Sequence, residues 1–310
     1  MWQARPRPAG PKHNCAYAPN EGLGLRLPLG FDGRNTRRSG QDLNSLERMI
    51  VILDLFEGER LEWTLEEMLA RLGYTRSTLY RYLKVLTDTG LLTSLPDIGY
   101  TLGPRIAELD YGMRERDPLI SASRPVMAEL LQDVAGIALL CRRYKDRVLC
   151  VHQEQGTASF HSNYERGRAR PLLQGAASRI ILAYLPSAMI RKLYEADPEA
   201  VREAGLGDTL NAMRARLRVI RQDGWDKTAS QVTRGVTGIA APIFDRRNNV
   251  LGSLSITIGG DHVSDKLSAE IAKRIIQGAQ IVTRTIARTD ASPIEAPKAV
   301  SRLQGKLAGV

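Results

Sequence analysis

The fold is decided by residues 63–92, which read WTLEEMLARLGYTRSTLYRYLKVLTDTGLL. Thr64 precedes an apolar-periodic run and Glu67 follows three residues later, which is the pattern of a capping box at the start of a helix. Gly73 suits the left-handed position that ends this helix, and Thr75 caps the next helix directly afterwards. Two capped helices joined by so short a turn predict a helix-turn-helix unit.

The flanking residues extend this unit. Residues 91–102 read as a hairpin that turns at Pro96-Asp97, because Pro and Asp between apolar runs favour a turn. An amphipathic helix is predicted upstream over residues 43–56, where apolar residues recur at helical spacing. Together these elements predict a winged helix-turn-helix domain over residues 42–103.

The second helix carries a polar, basic outward face. Arg and Lys can pair with phosphates or with the acceptor edge of guanine, and hydroxyl groups can donate to phosphates or base edges. An ordinary solvated helix face is the alternative, but the double cap, the short turn and the hairpin favour DNA reading. The predicted DNA-binding residues are Thr64, Arg76, Ser77, Thr78, Tyr80, Arg81, Lys84 and Arg105.

This stretch resembles the IclR family of bacterial transcriptional regulators. The resemblance rests on LEEMLARLGYTRSTLYRYLKVL at residues 65–86, on GLL at 90–92 and on YTLG at 100–103, and it extends over roughly residues 43–288. It implies an α+β protein with a winged-helix DNA reader, a linker helix and a C-terminal effector-binding domain of GAF-like α/β type. The partners that it implies are double-stranded operator DNA, a small-molecule effector and a second copy of the chain, with a tetramer as a further step.

Length and composition agree with a protein of two domains. The chain has 310 residues, 43% of them hydrophobic, and contains neither a membrane-spanning run nor a secretory segment, so we expect it in the cytoplasm. The three cysteines, Cys15, Cys141 and Cys150, indicate a reducing compartment, and a Cys141–Cys150 disulfide is the disfavoured alternative. The four histidines lack metal-ligand spacing, so we predict no metal and no cofactor.

The net charge of +10 is unevenly spread. Residues 1–40 hold seven Lys/Arg against two Asp/Glu, residues 41–117 hold nine against fourteen, and residues 118–310 hold twenty-eight against eighteen. The predicted DNA reader is therefore acidic overall, and its local basic face, not the global charge, supports DNA binding. The excess in the C-terminal part favours an anionic ligand or a general attraction to DNA.

Five segments are predicted along the chain. They are a disordered basic extension (1–41), the winged domain (42–103), a linker helix (104–117), the effector-binding domain (118–288) and a tail (289–310). The extension is either a basic arm that attracts phosphates or a stretch upstream of the natural start. In the effector-binding domain we predict helices over 119–134, 172–185, 188–195, 210–224 and 267–287 and strands over 137–144, 147–153, 238–245 and 250–258.

The resemblance also implies an effector pocket built from residues 171–185, 228–242 and 253–259. Matched residue by residue, the ligand-binding residues that it implies are Ala176, Ala177, Thr228, Gln231, Gly238, Ser255 and Thr257. For Ser255 and Thr257 the alternative is that they only satisfy neighbouring backbone groups of a strand.

Three departures from the family pattern bear on this pocket. Ser178-Arg179 stands where the family often has Gly-Lys, Gln231 replaces a usual acidic residue, and Gly238 replaces Cys or Ser. An acidic residue is also common near Thr228. The loss of carboxylates and a thiol predicts a roomier, uncharged pocket that suits a hydroxylated or carboxylated ring.

No enzyme motif is recognisable in the C-terminal half: it has no nucleophile elbow, no phosphate loop and no dinucleotide-binding glycine triplet. We therefore interpret the chain as a regulator, not an enzyme, whose operator binding or activation is controlled by a small aromatic or hydroxy-acid catabolic metabolite. The apolar stripe of Ile106, Leu109 and Met113 on the linker helix is predicted to form a homodimer seam.

Two alternatives come from other classes of protein. An enzyme that uses the GAF-like domain for chemistry would turn over a candidate ligand. An architectural DNA binder would bind without sequence preference, and no metabolite would alter its binding.

Overall fold

The structure is a computed structural model that describes residues 44–57, 60–157, 160, 162–260 and 262–289. The predicted extension over 1–41 lies outside these ranges, as does the predicted tail apart from Thr289. The elements in chain order are α1 (Ser45–Asp54), α2 (Leu65–Leu72), α3 (Arg76–Asp88), β1 (Leu92–Leu95), β2 (Gly99–Leu102), α4 (Pro104–Arg116), α5 (Pro118–Asp133), β3 (Ile137–Tyr144), β4 (Arg147–Gln155), β5 (Ala169–Pro171), α6 (Ala176–Ala183), α7 (Ser187–Ala196), α8 (Pro198–Glu203), α9 (Leu210–Asp223), β6 (Asp226–Ala229), β7 (Val236–Phe244), β8 (Val250–Gly259) and α10 (Asp265–Thr289).

Capping boxes begin the first two helices. Asn44 Oδ1 accepts hydrogen bonds from the backbone N–H groups of Leu46 and Glu47, and Glu47 Oε2 accepts from Asn44 N at 2.9 Å. Asn44 adopts extended backbone, which lets its side chain reach these N–H groups. α1 therefore starts at Ser45, two residues after the predicted position. The second box, at Thr64, starts α2 as predicted.

Helix α3 ends in a Schellman motif. Leu91 N donates to Leu86 O at 2.9 Å and Gly90 N donates to Thr87 O at 2.9 Å, with Gly90 in the left-handed region at φ +73°. The apolar faces of α1, α2 and α3 enclose one core with β1. Its buried members are Ile52, Phe56, Met68, Leu79, Tyr82, Leu83, Leu86 and Leu92.

The wing contains a pairing that the sequence analysis did not predict. β1 and β2 form the expected hairpin, with Leu92 opposite Leu102. Trp63, directly before α2, pairs with Tyr100 through two backbone hydrogen bonds of 3.0 and 2.8 Å. The Trp63 indole also donates to Leu55 O at 2.8 Å. The wing is therefore joined both to the start of α2 and to the end of α1.

The linker helix α4 starts where the wing and α3 meet. Gly103 N donates to Leu91 O at 2.8 Å, and Arg105 N donates to Gly90 O at 3.1 Å. A Cβ at Gly103 would lie 2.1 Å from Gly90 O, so only glycine permits this close approach. These contacts fix the first turn of α4 against the DNA-binding domain.

At its other end, α4 meets α5 at one shared residue. Asp117 N donates to Met113 O at 3.0 Å and ends α4, while the Asp117 carboxylate accepts from Leu119 N at 2.8 Å and caps α5. Arg142 of β3 donates to the same carboxylate at 2.9 Å. The sequence predicted this interruption at Asp117-Pro118, and Pro118 occupies the first turn of α5.

The C-terminal part is a six-stranded antiparallel sheet in the order β5-β4-β3-β8-β7-β6. One face packs against α5 and α10 through residues such as Leu140, Leu254 and Ile275. The other face packs against α6 and α9 through residues such as Leu139, Ile180 and Leu217. The α+β class is therefore confirmed. Within the described ranges, no helix has the length and apolarity needed to cross a membrane.

Four elements differ from the prediction, and one of them is the short strand β5, which was not predicted. α6 begins at Ala176 and not near residue 172, because Gly175 adopts φ +80° and ψ 150°, outside the helical region. Leu172 and Leu173 are buried in the loop before it, so their apolar character reflects burial and not a helix. α8 was missed despite its cap at Asp197, and β6 was missed because it has no apolar alternation.

Candidate functional site

The outward face of α3 is open to solvent. Its exposed residues are Arg76, Ser77, Tyr80, Arg81 and Lys84, whereas Thr78 is half-buried. Arg105 is exposed at the start of α4, where its backbone bond to Gly90 places it beside the end of α3. The predicted DNA-binding side chains on α3 therefore share one surface, and Arg105 extends it at the C-terminal end of α3.

Two arginines on α3 already have partners within the domain. Arg76 Nη2 donates to Glu66 Oε1 of α2 at 2.6 Å, and this hydrogen bond raises the pKa of Arg76 above its ordinary value. The Arg81 guanidinium lies 5.3 Å from the ring centre of Tyr82, which is a cation–π distance. Arg76 must exchange a carboxylate for a phosphate or base to contact DNA, whereas no carboxylate among the described residues pairs with Arg81.

The two threonines in the predicted set serve as structural caps. The Thr64 hydroxyl donates to Glu67 Oε2 at 2.8 Å and accepts from Glu67 N at 3.4 Å. Thr78 takes part in the cap of α3, since Thr75 Oγ1 donates to Thr78 Oγ1 at 2.9 Å. These hydroxyl groups hold the starts of α2 and α3, a role that the sequence analysis assigned to Thr64 as well.

A hydrogen bond from Arg60 and the cap at Thr64 together lower the pKa of the Glu67 carboxyl to about 2. The Arg60 guanidinium also lies over the Trp63 ring, 4.1 Å from its centre. The turn before α2 is thus held by one arginine that contacts both the capping box and the wing.

A cavity of about 30 Å³ lies between the start of α6 and the sheet. All seven residues that the resemblance assigned to the pocket line it: Ala176, Ala177, Thr228, Gln231, Gly238, Ser255 and Thr257. The lining residues that the sequence analysis missed are Leu139, Ser162, Tyr164, Gly175, Val232, Thr233 and Val236. None of these lining residues carries a formal charge, so the predicted absence of carboxylates from the wall holds for the described residues.

The cavity is small in this state. A volume of about 30 Å³ holds one or two water molecules and no ring. Gln231 takes up space at the start of α6, because its amide oxygen accepts from Gly175 N at 3.1 Å and its nitrogen donates to Ala204 O at 3.2 Å. Gln231 therefore leaves this part of the wall uncharged and occupies space beside the start of α6.

The other polar groups of the cavity are also bound to backbone. Thr228 Oγ1 accepts from Ala176 N at 3.0 Å. Ser255 Oγ donates to Leu139 O at 3.4 Å, and Thr257 Oγ1 donates to Ile137 O at 3.3 Å. In this state Ser255 and Thr257 satisfy neighbouring strand backbone, as the alternative interpretation expected.

Tyr164 is the polar lining residue that sequence reasoning had no means to find. Its hydroxyl lies 3.3 Å from Ser178 Oγ, and burial raises the pKa of this phenol well above its ordinary value. The residue follows β4 in a segment without regular structure or apolar periodicity, so no pattern indicates its position. A buried neutral hydroxyl beside a cavity can donate a hydrogen bond to a ligand.

Two free thiols lie behind the cavity wall. Cys141 and Cys150 are register partners on β3 and β4, and both are fully buried. Burial raises the pKa of the Cys141 thiol, which disfavours the reactive thiolate. Among the described residues, no group of three or more His, Cys, Asp or Glu side chains is arranged to hold a metal ion.

A buried ion pair supports the cavity from the side. Arg179 Nε lies 2.9 Å from Asp226 Oδ2, and the two side chains are 5% and 2% exposed. Desolvation raises the pKa of Asp226 and lowers that of Arg179. Arg179 Nη1 also donates to Ala204 O at 3.2 Å, the carbonyl that accepts from Gln231 of the cavity.

Comparison with family models matches almost the whole described chain. The model described as the IclR helix-turn-helix domain matches residues 45–96. The model described as bacterial transcriptional regulator IclR C-terminal matches residues 113–284, which is more than half of the chain. The two matches cover helix α3 and the residues that line the cavity.

Curated relatives are transcriptional regulators by name. The chain is 25% identical to the probable HTH-type transcriptional regulator ArcR of Halobacterium salinarum over 262 residues, which is 82% of this chain and 97% of that protein. It is 23% identical to the Pca regulon regulatory protein of Pseudomonas putida over 236 residues, 76% of this chain and 79% of that protein. These names agree with the interpretation of the chain as a regulator and not an enzyme.

Solved structures share the fold. An IclR regulator of a Silicibacter species superposes with a TM-score of 0.69 at 21% identity over 79% of this chain and 96% of that one. An IclR homologue from Microbacterium hydrocarbonoxydans, complexed with 4-hydroxybenzoate, superposes with a TM-score of 0.65 at 18% identity. The superposition covers 79% of this chain and 100% of that one. With both family models matched, the chain belongs to the IclR family of bacterial transcriptional regulators.

Proposed function

We propose that this regulator reads operator DNA through the outward face of α3, as a homodimer in the cytoplasm, and that a small anionic aromatic or hydroxy acid controls it from the cavity. The observation that carries the ligand proposal is that all seven residues implied by the resemblance line one cavity at the start of α6. Ligand pockets are concave sites with small apolar walls and few polar groups, and this cavity has that composition.

The start of α6 favours an anionic group on the ligand. Backbone N–H groups at a helix N-terminus carry partial positive charge and bind carboxylates. Gly175 N and Ala176 N here donate to Gln231 and Thr228, two residues that line the cavity. A carboxylate can take the place of Gln231 Oε1 as the acceptor, whereas an amine finds no lining carboxylate to offset its desolvation.

The uncharged wall favours an aromatic body for the ligand. Leu139, Ala176, Val232 and Val236 supply apolar surface, and Tyr164 supplies a buried hydroxyl that can bond to a ring substituent. The Microbacterium relative complexed with 4-hydroxybenzoate, which carries a hydroxyl and a carboxylate on one ring, supports this choice. Because the cavity holds no ring in the present state, binding has to enlarge it.

DNA reading is proposed for one surface. Arg81, Tyr80 and Lys84 are its exposed members on the outer face of α3, and Arg76 joins them when it leaves Glu66. Helix-turn-helix proteins place the start of the second helix in the major groove, and the wing lies beside it. Residues near the end of the surface, such as Arg105, are proposed to contact phosphates.

Exposed apolar residues on α1 and α4 support a homodimer. Leu46 and Ile50 lie one turn apart on α1 and are 70% and 52% exposed, and Leu109 and Met113 lie one turn apart on α4 and are each 54% exposed. Ile106 of the predicted stripe is half-buried. Isolated apolar side chains are common on surfaces, but two such pairs on helices next to the DNA reader are suited to a second copy of the chain.

Titration calorimetry tests the ligand proposal. Benzoate, 4-hydroxybenzoate, phenol, lactate and benzylamine are titrated into the wild type and into Ser255→Leu, which fills the cavity. Ser123→Leu is the matched control, since Ser123 is a fully buried serine of α5, which packs on the opposite face of the sheet and outside the cavity lining. Thermal unfolding of each variant checks that it folds.

We expect an aromatic acid to bind best and Ser255→Leu, but not Ser123→Leu, to abolish its binding. The bound acid must also change operator affinity, because a ligand that binds both states equally shifts nothing. Preferred binding of benzylamine, or an affinity that ignores Ser255→Leu, would contradict the assigned chemistry or the assigned cavity. Sequence-independent DNA binding that no compound alters would support the ligand-independent alternative.

A further inference from the structure

One short segment, residues 162–168, joins the cavity wall to the linker helix. Ser162 and Tyr164 line the cavity. Arg166 lies two residues further along, and its Nη2 pairs with Asp110 of α4. The segment therefore contacts the cavity at one end and the helix that carries the DNA-binding domain at the other.

Backbone and side-chain contacts keep this segment close to β4. Arg166 N donates to Gln153 Oε1 at 3.3 Å, and Arg166 Nε donates to Val151 O at 3.2 Å. On the cavity side, Asn163 N donates to Thr233 Oγ1 at 2.8 Å, and Thr233 also lines the cavity. A displacement of the wall at residues 162–164 is therefore passed along the chain to Arg166, which lies two residues beyond Tyr164.

The linker helix depends on few contacts for its orientation. None of the α4 residues is buried, so no apolar core fixes the helix against the effector-binding domain. The Arg166–Asp110 pair and the Arg124–Glu115 pair, at 3.6 Å, join its flank to that domain. Asp110 has a second partner within α4, Arg114 Nε, which lies 3.2 Å from its other carboxylate oxygen and remains in place when Arg166 moves.

The cavity has to grow when a ring enters it, and its walls differ in how easily they move. Leu139, Gly238, Ser255 and Thr257 belong to central strands held on both sides by ladder hydrogen bonds. The 162–164 wall has no regular structure. Segments with few backbone ladder bonds open at lower free energy than strands in a sheet. An entering ring is therefore expected to displace the 162–164 wall first.

We propose that the Arg166–Asp110 pair couples occupancy of the cavity to the orientation of the linker helix. Filling the cavity displaces residues 162–166, separates Arg166 from Asp110 and frees α4 to turn. The inference rests on the proposed function only in that a small-molecule ligand is the natural filler. In the structure Asp110 pairs with Arg166 and Arg114 together, and loss of Arg166 would leave it with Arg114 alone, so the pair has the two arrangements that a switch needs.

The test fills the cavity by substitution and needs no ligand. A Cβ at Gly238 would have Ala176 Cβ and Thr257 Cγ2 as its neighbours at 3.8 Å, so Gly238→Ala fits the existing space. The longer side chain of Gly238→Met exceeds this space and forces the cavity wall outward. Ala177→Met fills the cavity from α6 and provides a second variant if the first does not fold. Hydrogen exchange of the full-length chain then reports on residues 104–116 and 162–168 separately.

We expect Gly238→Met, but not Gly238→Ala, to speed exchange of the α4 amides by roughly 2- to 30-fold. In an Asp110→Asn background, exchange of α4 should already be fast and Gly238→Met should add nothing. Arg114→Gln is the matched control: it removes the other partner of Asp110, leaves Arg166–Asp110 in place and should preserve the response.

If Gly238→Met speeds exchange of the α4 amides equally with Asp110 present and in the Asp110→Asn background, the proposal is overturned. Faster exchange in residues 162–168 with no change in α4, or no change in either region with both filling variants, would also overturn it. The result is separable from the ligand assignment, because a coupled response to Gly238→Met in a protein that binds no aromatic acid would retain the coupling and reject the ligand.

Discussion

Arg76 Nη2 lies 2.6 Å from Glu66 Oε1, so the first basic side chain of the recognition helix is held by a carboxylate of the preceding helix. Both side chains are exposed, and water and salt screen their attraction. A phosphate or base that recruits Arg76 has to displace Glu66 and also approaches its negative charge. Glu66 therefore opposes DNA binding while it holds Arg76 in a defined position.

Glu66→Gln should strengthen DNA binding. The substitution removes a negative charge beside the DNA-reading face and frees Arg76, so we expect operator affinity to rise roughly two- to fivefold at low salt and the gain to shrink at high salt. Fluorescence anisotropy at two salt concentrations measures it. Glu199→Gln, which breaks another exposed pair far from α3, is the control and should change nothing. A loss of affinity in Glu66→Gln would instead show that Glu66 positions Arg76 productively.

Arg81→Ala should lower operator affinity by about 1–3 kcal/mol if Arg81 reads a base, and the loss should vanish on unrelated DNA. The basis is its exposed position on α3 without a carboxylate partner among the described residues. Lys84→Ala, on the same face, is expected to weaken binding to all sequences alike if it contacts phosphate. Unchanged operator affinity in Arg76→Ala, Tyr80→Ala and Arg81→Ala together would reject α3 as the recognition helix.

The Glu67 carboxyl should titrate with a pKa of about 2, below its ordinary value of 4.5. A lowered folded-state pKa means that Glu67 supports the fold above about pH 4.5 and that this support is lost as the pH falls toward 2. Arg60→Gln removes the largest cause, so the pKa should move back toward 4.5. Carboxyl-detected NMR measures both values, with Arg71→Gln as a charge-matched control. Titration near 4.5 in the wild type would refute the capping-box network in solution.

Removing one partner of the buried Arg179–Asp226 pair should lower the free energy of unfolding more than replacing both partners with apolar residues. Asp226→Asn leaves Arg179 charged and buried without its partner, and we expect the free energy of unfolding to fall by about 3–5 kcal/mol. Desolvation already raises the pKa of Asp226 and lowers that of Arg179, so an apolar pair such as Arg179→Met with Asp226→Leu should recover most of the loss. Urea unfolding checks this. Equal losses in the single and double variants would contradict it.

The chain should sediment as a dimer at micromolar concentration. Leu46→Glu with Ile50→Glu places charges on the exposed stripe of α1, and Leu109→Glu with Met113→Glu does so on α4. We expect either change to favour monomers and to weaken operator binding, because two half-sites are then no longer bound together. Val219→Glu, at another exposed apolar residue, is the control. Wild-type monomers that bind the operator with full affinity would exclude the dimer.

Local chemistry accounts for how much of the DNA-binding domain could be predicted. Thr64, Glu67, Gly73 and Thr75 specify helix ends through contacts within four residues, so the sequence indicates them directly. The pairing of Trp63 with Tyr100 connects residues far apart in sequence, and no local pattern marks it. β6 was not predicted either, because its two buried residues, Asp226 and Thr228, are polar and give no apolar pattern.

The cavity shows a different limit. Resemblance located seven of its lining residues, but its volume depends on side-chain positions that a residue-by-residue match does not contain. Gln231 is the clearest case: its amide bridges Gly175 and Ala204 and occupies space beside the cavity, which the residue match alone does not indicate. Tyr164 lines the cavity because it lies in an irregular segment, and the path of that segment depends on tertiary contacts such as the hydrogen bond from Asn163 to Thr233.

The single shared residue between α4 and α5 makes the linker a lever with a fixed pivot. The thirteen residues of α4 span about 20 Å, so a rotation of about 10° at Asp117 moves the far end by about 3 Å. That end is bonded to Gly90 and Leu91, so α3 travels with it. A displacement of this size is close to the rise of one base pair, about 3.4 Å. In a two-fold complex both arms would swing, and the spacing of the two recognition helices would change by up to two base pairs.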